Sequence, residues 1–203
     1  MERSKNYVVF GILALIVSLV AVSLAYAGFT QNLNINGTAN VKSVKWEVKF
    51  VNLSGEIATG TAAEITAPTI KSGSTSIGDY SVQLSTPGDT IAYTFDVTNT
   101  GNFNAKLTGL TKGTPSCTST NQSNANTVCG YLTYKLYDTT TNTEITGADN
   151  GVINANGGVR HFKIILTYSS NIPSGSLPTA DITVSGLGLT FTYTQDGNAV
   201  LGS

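Results

Sequence analysis

Ile91 to Val97 reads I-A-Y-T-F-D-V. Ile91, Tyr93, Phe95 and Val97 are apolar, and Thr94 and Asp96 between them are polar. Period two puts those two sets on opposite faces of an extended strand with one face buried. Pro87-Gly88-Asp89 before it and Asn99-Thr100-Gly101-Asn102 after it are turn sequences. Phe103, Ala105 and Leu107 then resume the alternation, which predicts an antiparallel return, a hairpin.

The same pattern recurs outward along the chain. Tyr80, Val82 and Leu84 precede it, and Leu132, Tyr134 and Leu136 follow. Phe162, Ile164, Leu166 and Tyr168 make a strong strand. The last strand begins with Ile182 and Val184, changes phase at Gly186 and continues through Leu187, Leu189, Phe191 and Tyr193. A glycine at a phase change is the mark of a bulge. Residues 54–78 read as short edge strands and loops, residues 144–153 as a short hairpin region, and residues 111–128 as a loop. Eight to ten strands with closely spaced turns and no internal repeat predict one all-β domain, a jelly-roll or Greek-key β-sandwich over residues 43–203.

Composition agrees. Charged residues are 11% of 203, and Thr, Asn, Ser and Gly are abundant. Thr and Tyr suit strands, and Asn and Gly suit the turns between them. With a net charge of −1 there is no basic patch for nucleic acid and no polybasic run for anionic lipid. A polar but weakly charged surface suits molecules that pack closely against copies of themselves.

Arg3 and Lys5 precede Val8–Ala27, an uncharged run ending in Ala25-Tyr26-Ala27. A basic start, an apolar run and small residues one and three positions before a cut match a secretory signal peptide. Cleavage would fall between Ala27 and Gly28, making residues 1–27 a leader. The competing reading is an uncleaved anchor, since a helix of about 20 residues spans a bilayer core. In either case the remainder lies outside the cytoplasm. Cys117 and Cys129, the only cysteines, then predict a disulfide.

Residues 28–42 follow the junction. Phe29–Val41 reads F-T-Q-N-L-N-I-N-G-T-A-N-V. Every even position is Asn or Thr; the odd positions are Phe29, Leu33, Ile35, Gly37, Ala39 and Val41, with Gln31 the exception. From Val44 the phase inverts: Val44, Trp46, Val48 and Phe50 are apolar. One regular strand cannot change phase without turning over, so a break lies near Lys42-Ser43. Phe29–Val41 is thus either an ordinary first strand or one that can leave its own domain. Trp46 reads as a core residue.

Residues for catalysis or cofactor binding are not recognisable. His161 is the only histidine, on a polar phase beside Arg160, so a two-histidine zinc helix is excluded. No nucleophile elbow and no phosphate loop occurs. Asp89, Asp96, Asp138 and Asp181 are scattered and could hold calcium only if the fold united them. Asn36, Asn52 and Asn121 lie in N-x-Ser/Thr sequons. No catalytic, metal or cofactor-binding residue is expected.

The junction A-Y-A-G-F-T-Q-N-L-N-I-N-G-T-A-N-V running into W-E-V-K-F, the segment P-G-D-T-I-A-Y-T-F-D-V-T-N-T-G and the closing L-T-F-T-Y-T-Q together resemble the TasA/camelysin family of exported proteins. The resemblance implies a jelly-roll subunit of an extracellular fibre or pilus, released by a SipW-type signal peptidase. It implies a head-to-tail homopolymer in which the mature N-terminal strand of one copy completes the sheet of the next. Gly28 would be the new N-terminus, and Phe29, Leu33, Ile35, Gly37, Ala39 and Val41 the donor face. The family's metalloprotease claim does not carry over, for want of a zinc motif. The Cys117/Cys129 pair departs from the family pattern. The alternative is a membrane-tethered Ig-like module that binds a surface partner.

Overall fold

In the computed structural model, residues 10, 12–19, 45–72 and 75–197 are described. Residues 10 and 12–19 are helical, and their large apolar side chains are open. No described helix is long and apolar enough to cross a membrane. The junction Ala25–Gly28 and the segment Phe29–Val41 lie outside the described residues.

The compact unit Ser43–Ser203 is all-β, with one α-helix and a short 3-10 turn. Its first sheet contains β1 (Val48–Val51), β2 (Ile57–Thr59), β6 (Thr90–Asn99), β9 (Leu132–Asp138), β10 (Thr143–Glu144) and β12 (Gly158–Tyr168). The order is β1-β6-β12-β9-β10, all antiparallel. β1 and β2 share one edge of β6: Val51 faces Asp96 and Ile57 faces Ala92. Ser54 closes the gap between them, donating its N–H to Thr94 O (2.8 Å) while its hydroxyl accepts from Thr94 N (2.9 Å).

The other strands are β3 (Ala63–Thr66), β4 (Ser76–Ile77), β5 (Ser81–Leu84), β7 (Ala105–Lys112), β8 (Ser116–Thr118), β11 (Val152–Ile153), β13 (Ile182–Ser185) and β14 (Leu189–Gln195). They pair in the orders β3-β5-β13-β8 and β11-β7-β14-β4. β4 runs into β5, β7 into β8 and β13 into β14, so the two sets form one layer bent at a common level. Glycines make the bend possible. Gly186 has φ +72°, Gly113 N donates to Gly188 O at 2.7 Å, and a Cβ on Gly113 would lie 2.0 Å from Gly186 O. Only a residue without a side chain lets backbones approach so closely.

The two layers enclose one core. Phe191 on β14 lies 5.0 Å from Phe50 and 4.9 Å from Phe162, ring centre to centre, and 6.0 Å from Phe95. The outside of the bent layer is hydroxyl-rich. Ser76, Thr190 and Thr111 form one rank across it, and Gln83, Thr183 and Thr118 another.

Several expectations change. β6 and β7 are not a hairpin, because β6 pairs with β1, β2 and β12 whereas β7 pairs with β14 and β11. The buried Asn99 turns the chain between layers: its Nδ2 donates to Phe103 O and Ile153 O, and its Oδ1 accepts from Gly101 N. β10 and β11 likewise join different layers rather than each other. The loop expected over 111–128 contains β8 and α1 (Gln122–Cys129), which is capped by Asn121 Oδ1 accepting from Asn124 N. The phase change at Gly186 is present and separates β13 from β14.

A candidate assembly edge

β1 pairs with β6 on one side, and no described strand lies on its other side. The ladder extends backwards past Val48: Thr100 N donates to Glu47 O, and Asn102 N to Lys45 O, both at 2.9 Å. Lys45 and Lys49 flank Glu47 and hold its carboxyl down to about 2. Alternation therefore continues through Trp46, which shares the inward phase of Val48 and Phe50. Those two are buried, but Trp46 is 44% exposed. The expectation that Trp46 is a core residue is corrected. It has the right phase, and nothing among the described residues covers it fully.

The bent layer is also open on this side. β14 pairs with β4 through Leu189 and Thr190, and Phe191 N donates to Thr75 O at 2.8 Å. Beyond that, Thr192–Gln195 have β7 on one side and no described strand on the other. Asp196 N bonds to Asn104 O (2.9 Å), which sets the phase of the ladder. By alternation the backbone groups of Tyr193 and Gln195 point to the open side. The Tyr193 hydroxyl is buried, and the described residues offer it no hydrogen-bond partner. The contact of Phe50 with Phe191 places β1 opposite β14. The turn from β2 to β3, which carries Gly60 and Thr61, shows that the β1/β2 edge and the β3/β4 end of the bent layer are on the same flank. β2 and β3 are themselves short and exposed there, with Ile57 and Ile65 about half open.

A charged clasp lies near Tyr193. Arg160 has the inward phase of Phe162, and its guanidinium lies 5.0 Å from that ring. It donates to Asp138 Oδ2 through Nη2 (2.7 Å) and Nε (3.1 Å), and to Asp149 Oδ2 through Nη2 (2.7 Å). Burial raises both carboxyls, but these bonds and nearby backbone N–H groups outweigh it, so Asp138 and Asp149 lie below the usual carboxylate value. Sequence reading did not single out this clasp. The parity of Arg160 with Phe162 and of Asp138 with Leu136 was its only signal.

The other acidic residues do not converge. Asp89 binds the backbone around Thr61 and Ser85, Asp96 accepts from Asn52 and meets His161 Nδ1 at 2.6 Å, and Asp181 accepts from Ser85 Oγ. Among the described residues no three His, Cys, Asp or Glu are grouped to hold a metal. Cys117 and Cys129 form a disulfide that ties β8 to the last residue of α1, with Cα atoms 5.8 Å apart. A shallow depression on the first sheet, lined by Tyr137, Thr139, Asn142, Lys163 and Ile165, holds a single ionisable amine. The all-β unit, with unpartnered strand edges among the described residues, is the feature that bears on function. No protein-family model, curated protein or solved structure matches the chain.

Proposed function

We propose that this protein is the structural subunit of an extracellular filament, a pilus or biofilm-matrix fibre that polymerises by donor-strand complementation. The mature N-terminal strand, Phe29–Val41, completes the sheet of the next copy in a jelly-roll fold. The carrying observation is the coexistence in one chain of an uncharged segment that alternates except at Gln31, after an A-x-A junction, and an all-β unit with unpartnered strand edges among the described residues. An unpaired edge is a template for another strand, whose main chain supplies bonds and whose alternate side chains supply specificity. Leu33, Ile35 and Val41 would each contribute ~1.5–3 kcal/mol on full burial. Such head-to-tail contact does not close on itself, so it propagates as a filament. Signal peptidase cleavage after Ala27 frees the strand, so the precursor alone is membrane-bound. The disulfide fits an oxidising compartment.

Leu33→Asp and Ile35→Asp should abolish filaments while leaving a folded monomer, as seen by electron microscopy and circular dichroism. Abundant filaments from both variants would refute the mechanism. The uncharged run Val8–Ala27 supports a second reading, a tethered Ig-like surface module. Mass spectrometry of the native N-terminus separates them: a chain starting at Gly28 supports the filament, an intact Met1 the tether.

A further inference from the structure

We propose that Asn121 carries an N-linked glycan, transferred outside the cytoplasm from a lipid-phosphate-linked oligosaccharide. This rests on the export that the filament reading requires, and adds a modification site to it.

Three N-x-Ser/Thr sequons occur, at Asn36, Asn52 and Asn121. The triplet supplies the amide that receives the sugar and a hydroxyl two positions on, and both must be within reach at the surface. Asn36 lies outside the described residues. Asn52 is exposed, but its triplet is sewn into the edge of β6. Asn52 Nδ2 donates to Asp96 Oδ2 (2.8 Å), and the Ser54 hydroxyl accepts from Thr94 N (2.9 Å). Presenting that triplet to an enzyme would undo the joint between β1 and β2.

Asn121-Gln122-Ser123 is placed differently. All three residues are exposed. The carbonyl of Ser123 accepts from Thr127 Oγ1 (3.2 Å), and its hydroxyl has no partner among the described residues. The triplet opens α1, whose eight residues bury only Ala125 and Val128. A helix so short and polar yields locally at little cost to the sheets. The Cys117–Cys129 disulfide confines that opening to the loop it closes. Residues 116–129 carry no charge, and their hydroxyl and amide groups suit a hydroxyl-rich sugar.

The side chain also tolerates its own modification. Asn121 Oδ1 accepts from Asn124 N (3.2 Å) and caps the helix, while Nδ2 gives one hydrogen to Thr179 Oγ1 (3.3 Å). A primary amide nitrogen has a second hydrogen. In the transfer a bond forms from Nδ2 to the anomeric carbon, and the bond from that carbon to the phosphate oxygen breaks. The lipid phosphate leaves, and the amide gives up one proton. The product keeps Oδ1 and one N–H, so the cap and the bond to Thr179 both survive. A bulky, hydrated sugar at this corner keeps α1 in solvent and out of contacts between copies.

The protein is purified from its own cells as wild type, Asn121→Gln and Ser123→Ala. Intact mass is measured, and electron-transfer fragmentation of peptides locates any added mass. The expected result is a saccharide mass on Asn121, absent from Asn52 and lost in both variants. Ser123→Ala leaves the Asn121 cap in place, so loss of sugar there does not come from damage to α1. A mature chain beginning at Gly28 with a bare Asn121 would overturn the site and leave export standing. Sugar on Asn52 beside a bare Asn121 would overturn the choice of site, and sugar that persists in Ser123→Ala would overturn attachment through the sequon. An unprocessed chain retained inside the cell without sugar would overturn export and the site together.

Discussion

Replacing Asp89 with alanine removes the acceptor around which one corner of the domain is built. Asp89 is 1% exposed, and its carboxylate accepts from Thr61 N (2.8 Å), Ser85 N (2.9 Å), Thr86 N (3.0 Å) and Thr61 Oγ1 (2.8 Å). It thereby ties the β2–β3 turn to the turn that enters β6. The fit is close: a Cβ on Gly60 would lie 2.3 Å from Asp89 Oδ1. Alanine leaves three backbone N–H groups without an acceptor, each worth ~1–3 kcal/mol if it stays buried. Thr61 and Thr86 are exposed enough for water to replace part of this, so the low end applies and the sum is about 3 kcal/mol. For a domain of this size ~1 kcal/mol lowers Tm by about 2–4 °C, so Asp89→Ala should lose about 6–12 °C. Thermal unfolding followed by circular dichroism measures it. The acid limb gives a second readout. Burial pushes the Asp89 carboxyl up, but the backbone N–H groups of Thr61, Thr86 and Ser85 outweigh that and hold it below its ordinary value. The unfolded chain therefore takes up the proton first. The stabilisation is complete above the unfolded carboxylate pKa, ~3.9, and disappears as pH falls through the lower folded value. Wild type should lose more of its midpoint than Asp89→Ala between about pH 5 and pH 2. An alanine variant within about 2 °C of wild type at neutral pH would refute the account, since that is under one bond's worth.

Arg160→Ala leaves Asp138 and Asp149 facing each other across a partly buried space, and should cost ~3–5 kcal/mol in urea unfolding. Arg160→Ala combined with Asp138→Ala should recover part of the loss, because the uncompensated charge causes most of it. Reducing Cys117–Cys129 should lower stability by ~3 kcal/mol, seen as a shift in denaturant midpoint with and without reductant. Gly113→Ala places a methyl group against Gly186 O and should impair folding, whereas Gly55→Ala, which meets no atom within 4 Å, should be close to neutral; soluble yield and Tm compare them.

Alternation was readable wherever one face of a strand is buried. β5, β6, β9, β12 and the split β13/β14 show it, and their apolar residues form the core. Pairing was not readable. Asn99–Asn102 looks like a hairpin turn, yet the side chain of Asn99 sends the chain to the other layer. Which strand lies beside which depends on long-range contacts that no local pattern encodes. The helix Gln122–Cys129 was missed because it is polar and buries only Ala125 and Val128, one turn apart. Trp46 misled for the opposite reason: phase reports which way a side chain points, not whether anything lies above it. Phe29–Val41 alternates in sequence as a strand does, but it lies outside the described residues.

Salt has only a few charges to screen on the outer side of the bent layer, Lys71 and Asp79 beside Thr111 and Thr190 among them. Its central ranks, Ser76–Thr190–Thr111 and Gln83–Thr183–Thr118, carry hydroxyl and amide groups and no charge. Along these ranks contact is governed by hydration and shape, and Coulombic terms enter only where charges such as Lys71 and Asp79 flank them. Ionic strength shortens the Debye length from ~30 Å at 0.01 M to ~3 Å at 1 M. That change transforms the association of densely charged surfaces and acts on this one only through its few flanking charges, so side-by-side packing through the hydroxyl ranks would depend weakly on salt.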